Sequence, residues 1–262
     1  AGARVERGEV VARRAARGEQ SIAQPLHAGV ETFSSAVAQA SRLKSGGGRP
    51  EVGLIGYYGF GNYGDELFRN AFEFGLPDVR LSMFTDLPRR PFVVGDRGAR
   101  VDRFDALLIG GGDLLSPGYW PDPYFDEIYL KKPVFLHGIG VPRWTGGDPK
   151  VIKRLAAFLQ HPNVRRVNVR DVESRNWIQT HLQPTCPVEV SADLVFGLDL
   201  EAPPADADAE STLAIVTRRT GAGNETFERL RELARAAKAR GMGVRLVIAG
   251  AGMVGEEDLA DA

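Results

Sequence analysis

The stretch Val52-Gly53-Leu54-Ile55-Gly56-Tyr57-Tyr58-Gly59-Phe60-Gly61-Asn62-Tyr63-Gly64-Asp65-Glu66 runs from an apolar strand through a glycine-rich turn into a helix start. That order brings backbone N–H groups and the positive end of a helix against an anionic or hydroxyl-bearing ligand. Glycines at 56, 59, 61 and 64 let the main chain approach such a ligand without an intervening Cβ. Neither common nucleotide fingerprint fits. No Lys-Ser/Thr pair closes the turn, so it is not a P-loop. Gly59-x-Gly61-x-x-Gly64 also lacks the acidic residue that ends the next strand in dinucleotide-binding folds, so NAD is not expected. A plain tight turn has no need of Asn62, Asp65 and Glu66, and their presence makes this a candidate binding loop.

Outward from this stretch, apolar strands alternate with amphipathic helices. Strands are expected at 51–56, 79–84, 106–110, 133–137, 164–169 and 188–191, and helices at 65–75, 123–131, 150–160 and 173–182. Strands that are apolar throughout, each followed by a helix, predict a parallel sheet covered on both faces. The fold class is therefore α/β. Ligands of such sheets sit beyond the carboxyl ends of the strands, which directs attention to the residues that follow each strand.

Residues 1–48 are set apart by an Ala-, Arg-, Glu- and Ser-rich composition, with two helical stretches separated by Pro25 and a tether at Ser45-Gly46-Gly47-Gly48. They are either helices through which copies of the chain associate or a helical hairpin packed on the main domain, and the second is preferred. Residues 49–200 form the expected main domain, 201–211 a Pro-rich acidic linker, and 212–262 the start of a second unit. In that unit a strand at 213–217, a helix at 227–240 and a strand at 244–249 lead into a glycine turn at 250–255. Two strands and one helix cannot close a core, so either these strands join the first sheet, another chain completes them, or a C-terminal part lies beyond this sequence, and the last is preferred.

Composition narrows the partners. Thirty-three Lys and Arg face 34 Asp and Glu, which gives no drive toward nucleic acid. A single cysteine, Cys186, forms no internal disulfide and fits a reducing cytoplasm. No apolar run is long enough to span a bilayer, and no Cys/His or acid-rich cluster has metal-ligand spacing, so no metal is expected.

The strand ends carry the remaining candidates. Asp113 follows Gly110-Gly111-Gly112, where three glycines let a ligand lie on the main chain; Asp113 either accepts a proton or a hydroxyl there, or caps the next turn. His137 precedes Gly138-Ile139-Gly140 at another strand end and is a candidate acid–base group. Arg170 is placed to hold an anion, while Asp171 is read as a helix cap. Asp193 ends the last strand of the main domain as a cleft or turn residue. Arg218 and Arg219 end the first strand after the linker, where paired guanidinium forks suit a carboxylate or phosphate. His27, His161 and His181 lack such placement and are read as surface or packing residues.

Five motifs now stand in order: Gly56 to Glu66; Ile109-Gly110-Gly111-Gly112-Asp113-Leu114-Leu115; Gly138-Ile139-Gly140; Val169-Arg170-Asp171-x-x-Ser174; and Ala192-Asp193-Leu194-Val195-Phe196. Together they resemble the polysaccharide pyruvyl transferase family from about residue 51 to 220. The resemblance implies a GT-B-like architecture of two Rossmann-like halves around a cleft. It implies transfer of the enolpyruvyl unit of phosphoenolpyruvate onto two hydroxyls of a sugar, glycan or lipid-linked saccharide in cell-envelope polysaccharide synthesis. A pyruvate ketal forms and phosphate leaves, with no cofactor beyond the donor itself. A cytoplasmic enzyme, working at the inner face of the membrane when its acceptor is lipid-linked, follows from the same resemblance.

Under this reading Asp113 and His137 are the catalytic candidates. Gly59, Gly61, Asn62, Gly64, Asp65, Gly111, Gly112, Arg170, Arg218 and Arg219 are the substrate-binding ones. The family also carries a basic Arg-x-His stretch late in its second domain, and this sequence ends soon after Gly255 with no counterpart to it. Two alternatives stay open. A nucleotide-sugar glycosyltransferase of GT-B type would bind a uridine or guanosine nucleotide, and a non-catalytic relative would bind sugar alone.

Overall fold

The computed structural model describes residues 48–84, 96–121, 123–198, 211–217 and 224–248. Six strands form one sheet: β1 (Glu51–Ile55), β2 (Arg80–Met83), β3 (Ala106–Gly112), β4 (Val134–Ile139), β5 (Val164–Val169) and β6 (Val188–Val190). Their spatial order is β2-β1-β3-β4-β5-β6, and every pairing is parallel. The fold is thus Rossmann-like. Chain order reverses between β1 and β3, and the crevice outside a reversal is where open α/β sheets take their ligands.

Helices cover both faces because the strands bury both. On one side α1 (Tyr63–Gly75) lays Phe68 and Phe72, one turn apart, over Val52, Leu54, Ala106, Leu108 and Phe135. Removing the Phe72 ring there would cost about 3–5 kcal/mol. The opposite side is covered by α2 (Arg97–Asp102), α3 (Pro149–Leu159) and α4 (Val172–His181). In α3 the residues Val151, Leu155, Phe158 and Leu159 recur at helical spacing and meet Leu136, Val164 and Val167. This helix starts cleanly: Asp148 accepts from Lys150 N, and Pro149 takes the first turn, where its missing N–H costs nothing.

Two expectations shift. The helical pattern at 123–131 shortens to one 3-10 segment, Glu127–Lys131, which starts at Asp126, whose carboxylate accepts from Ile128 N, and ends at Lys132, held extended before Pro133. The six-residue α2 was not expected, since it is too short to show a period. Its start is marked by Asp96, whose carboxylate accepts from Ala99 N.

Farther along, β7 (Thr212–Thr217) and β8 (Gly243–Ile248) pair in parallel as a separate two-stranded sheet, joined by α5 (Asn224–Ala239). Val216, Leu233, Leu246 and Val247 are exposed on this unit. The N-terminal helical segment, most of the linker and the glycine turn at 250–255 lie outside the described residues. Among the described residues no helix is long and apolar enough to cross a membrane.

Candidate functional site

The loop after β1 is built around its own carboxylate. Gly59 and Gly61 adopt φ of 85° and 81°, conformations an L side chain resists. Their N–H groups both point at Glu66 Oε1, at 2.6 Å and 3.4 Å. The backbone donors expected to face a ligand are therefore turned inward onto the first turn of α1. Asn62 is the helix cap, its Oδ1 accepting from Gly64 N at 3.1 Å. Gly64 needs no special room, as an added Cβ would meet only that Asn62 oxygen at 3.6 Å. At the loop's base, the fully buried Tyr58 hydroxyl donates to Gly110 O and ties β1 to β3. Burial, then the Asp65 and Glu66 charges, hold this phenol protonated well above its ordinary range, so it stays a donor.

The glycines at the next two strand ends face protein rather than open space. β3 runs on through Gly112 and β4 through Ile139, farther than the sequence suggests. An added Cβ at Gly110 would collide with the Phe72 ring, and one at Gly111 would come within 2.5 Å of Phe68. At Gly138 it would meet Leu194 at 2.8 Å. These residues are glycine so that α1 and the segment after β6 can close on the sheet. The Cβ side of Gly111 is thus taken up by packing against Phe68. Gly112 is different: a Cβ there would lie 2.9 Å from Asp65 Oδ1, which brings Asp65 to the carboxyl edge.

His137 is also corrected in place. It lies inside β4 rather than at its carboxyl end, 3% exposed, with its ring 5.9 Å from that of Phe72. Burial, helped by the Arg166 charge, lowers its pKa from 6.5 to about 3, so the imidazole is neutral across the physiological range.

A polar cluster does form at the carboxyl edge. Arg170, directly after β5, donates to Asp113 Oδ1 at 2.5 Å and reaches Asp193 Oδ2 at 3.5 Å. All three side chains are about a quarter exposed, so the cluster is held in the protein yet open to solvent. Gly140 makes it possible, because a Cβ there would strike Asp113 Oδ1 and come within 2.8 Å of Arg170 Nε. Main-chain bonds fix the frame: Gly140 N to Gly112 O at 2.9 Å and Arg170 N to Ile139 O at 3.1 Å. Asp193 additionally accepts from Val195 N, and Asp171 caps α4 through Ser174 N at 2.6 Å, as the sequence suggested. Arg170, expected to wait for an anion, is instead engaged by two carboxylates.

Sequence reasoning missed the buried polar residues that hold this edge. Asn168 Oδ1 accepts from Gly138 N at 3.3 Å and from the Ser191 hydroxyl at 3.0 Å, linking β4, β5 and the end of β6. The Ser174 hydroxyl donates to Asp171 and accepts from Val141 N at 3.0 Å, fastening α4 to the loop after β4. The visible signal was polar residues in apolar runs, as at Asn168 within Val167-Asn168-Val169. The inward role of Glu66 was signalled only by an acid in the first turn after Gly-x-Gly.

Elsewhere, a groove of about 480 Å³ is lined by Trp120, Glu127, Lys131, Arg154, Phe158 and His161 among others, with Arg154 stacked 3.8 Å over Trp120. It borders segments that lead into β4 and β5. Arg218 and Arg219 lie outside the described residues.

The family model described as polysaccharide pyruvyl transferase matches residues 62–246, which include the α1 start, the Asp113–Arg170–Asp193 cluster and most of the β7–β8 unit. No curated protein matches the chain.

Proposed function

The chain belongs to the polysaccharide pyruvyl transferase family, and from that premise we propose that it moves the enolpyruvyl group of phosphoenolpyruvate onto a saccharide to form a pyruvate ketal. In the balanced reaction two sugar hydroxyl oxygens bond to the enol carbon, and the methylene carbon gains a proton to become a methyl. The bond from the enol carbon to the phosphate oxygen breaks, and phosphate carries off the second hydroxyl proton. A residue that accepts a hydroxyl proton at the sugar is required.

The observation that carries the reading is the Asp113–Arg170–Asp193 cluster at the carboxyl ends of β3, β5 and β6. With Asp65 at Gly112, the edge gathers three carboxylates to one guanidinium. Such a balance repels a multiply charged phosphoenolpyruvate and suits a sugar, whose hydroxyls donate to carboxylates. This edge is therefore the acceptor side. Asp113 is the base, and Arg170 and Asp193 hold it in place. Asn62, Gly59, Gly61 and Gly64 shape the loop beside it, and His137 supports β4 from within the core. Donor anion binding falls to the second unit, with Arg218 and Arg219 as its forks, in a GT-B arrangement of residues 49–200 and 212–262. Phosphoenolpyruvate as donor, a cytoplasmic setting and a lipid-linked or polymeric acceptor for the cell envelope complete the proposal.

Phosphate release by the full-length protein tests it directly. Phosphoenolpyruvate should yield phosphate only when a saccharide acceptor is added. Consumption of a nucleotide-sugar with phosphoenolpyruvate left intact would favour a glycosyltransferase instead.

A further inference from the structure

Four large aromatic side chains stand more than half exposed on segments that follow strand carboxyl ends: Tyr63 after β1, Tyr119 after β3, Trp144 after β4 and Phe196 after β6. Single exposed apolar residues need no explanation, but exposed aromatics on four segments that all follow strand carboxyl ends do. Two of them sit on loops that are fastened to each other. The buried Ser116 hydroxyl donates to Thr145 Oγ1 at 3.0 Å, Thr145 Oγ1 donates to Pro142 O at 2.7 Å, and Asp148 N donates to Pro117 O at 2.9 Å. At Gly118 an added Cβ would collide with the Thr145 carbonyl, so the two backbones touch there. Tyr119 and Trp144 are the chain neighbours of that contact. A well-anchored turn that leaves a tryptophan 78% exposed is holding the ring outward.

We infer that Tyr119 and Trp144 form an aromatic platform for a pyranose ring of the acceptor glycan. The inference rests on the acceptor-side reading of the Asp113 cluster and extends it. Trp144 is four residues from Gly140, which lies against Asp113 and Arg170, so the Trp144 backbone is within about 14 Å of Gly140. Aromatic faces take the C–H face of a sugar while nearby carboxylates accept its hydroxyls, the mixture of apolar wall and few polar groups found in ligand sites. Asp113 and Asp193 keep acceptor lone pairs beyond those that Arg170 and Val195 N use, and a saccharide brings hydroxyl donors to them.

The test is binding of the full-length protein, without phosphoenolpyruvate, to an array of immobilised hexose- and N-acetylhexosamine-terminated glycans. The wild-type protein should bind a subset. Trp144→Ala should weaken that binding at least about tenfold with an unchanged melting temperature, while Trp144→Phe keeps most of it. Equal binding by wild type and Trp144→Ala, or no glycan bound by wild type, overturns the platform. Loss of binding in Trp144→Ala from a protein that never releases phosphate from phosphoenolpyruvate keeps the platform and sinks the transferase reading. Phosphate release with the acceptor KM unchanged by Trp144→Ala does the reverse.

Discussion

At the end of β1, Gly59 and Gly61 take left-handed conformations and turn their N–H groups onto the Glu66 carboxylate. At the ends of β3 and β4, Gly110, Gly111 and Gly138 are instead closed from one side by Phe72, Phe68 and Leu194. The first region uses glycine to bend the chain around a polar group of its own. The second uses glycine to let a helix and a loop press flat against the sheet. Both spend their glycines on internal contacts, and the polar cluster of Asp113, Arg170 and Asp193 lies just past them, with Gly140 keeping their space open.

Substitutions that add one methyl group should separate the two regions. Gly111→Ala combines left-handed strain with a clash against Phe68, and a loss of roughly 3 kcal/mol is expected by chemical denaturation. A loss below about 1 kcal/mol would show that α1 does not press on the strand as described.

The core character of the β4 end can be read by pH. His137 has a folded pKa of about 3 against 6.5, so its stabilising contribution is complete above pH 6.5 and falls away as the pH drops toward 3. Below pH 6.5 the unfolded chain binds a proton that the folded chain refuses, at roughly 1.4 kcal/mol per pH unit. Wild type should lose stability between pH 6 and 4 more steeply than His137→Gln by about that slope. Parallel curves would place His137 in a wetter setting.

In the β1 loop the effects should be smaller. Glu66→Ala removes the acceptor of two backbone N–H groups in a partly solvated loop and should cost about 1 kcal/mol, with faster amide exchange at Gly59 and Gly61. Unchanged exchange at both amides would mean that Glu66 does not organise the loop. Gly64→Ala, in the first turn of α1 with open space for a Cβ, should be neutral or stabilise by about 0.5 kcal/mol.

The contrast also explains what could be read in the sequence. Period and apolar runs located all six strands of the main sheet to within two residues, because burial on both faces leaves long Val, Ile and Leu runs such as Ala106 to Ile109. The helix caps Asp148 and Asp171 follow from local chemistry and were equally visible in kind. Asp113 and Arg170 were legible as strand-end residues, but their pairing joins positions 57 apart in sequence and depends on register. Glycine was the least legible residue. A Gly in a motif reports a close approach without saying whether a ligand, a Phe68 ring or a Glu66 carboxylate makes it. His137 misled for the same reason: two more residues of β4 turned a strand end into strand interior.

The central claim is that the Asp113 cluster works on the acceptor rather than only bracing the sheet. Turnover of phosphoenolpyruvate with a saccharide acceptor, measured for wild type and Asp113→Asn alongside their melting curves, tests it most directly. The amide keeps the shape at Arg170 and loses the base, and a partly exposed ion pair contributes little stability. Turnover should fall at least about hundredfold with the melting temperature nearly unchanged. Turnover within about threefold of wild type, or a fall in turnover matched by unfolding, would contradict it.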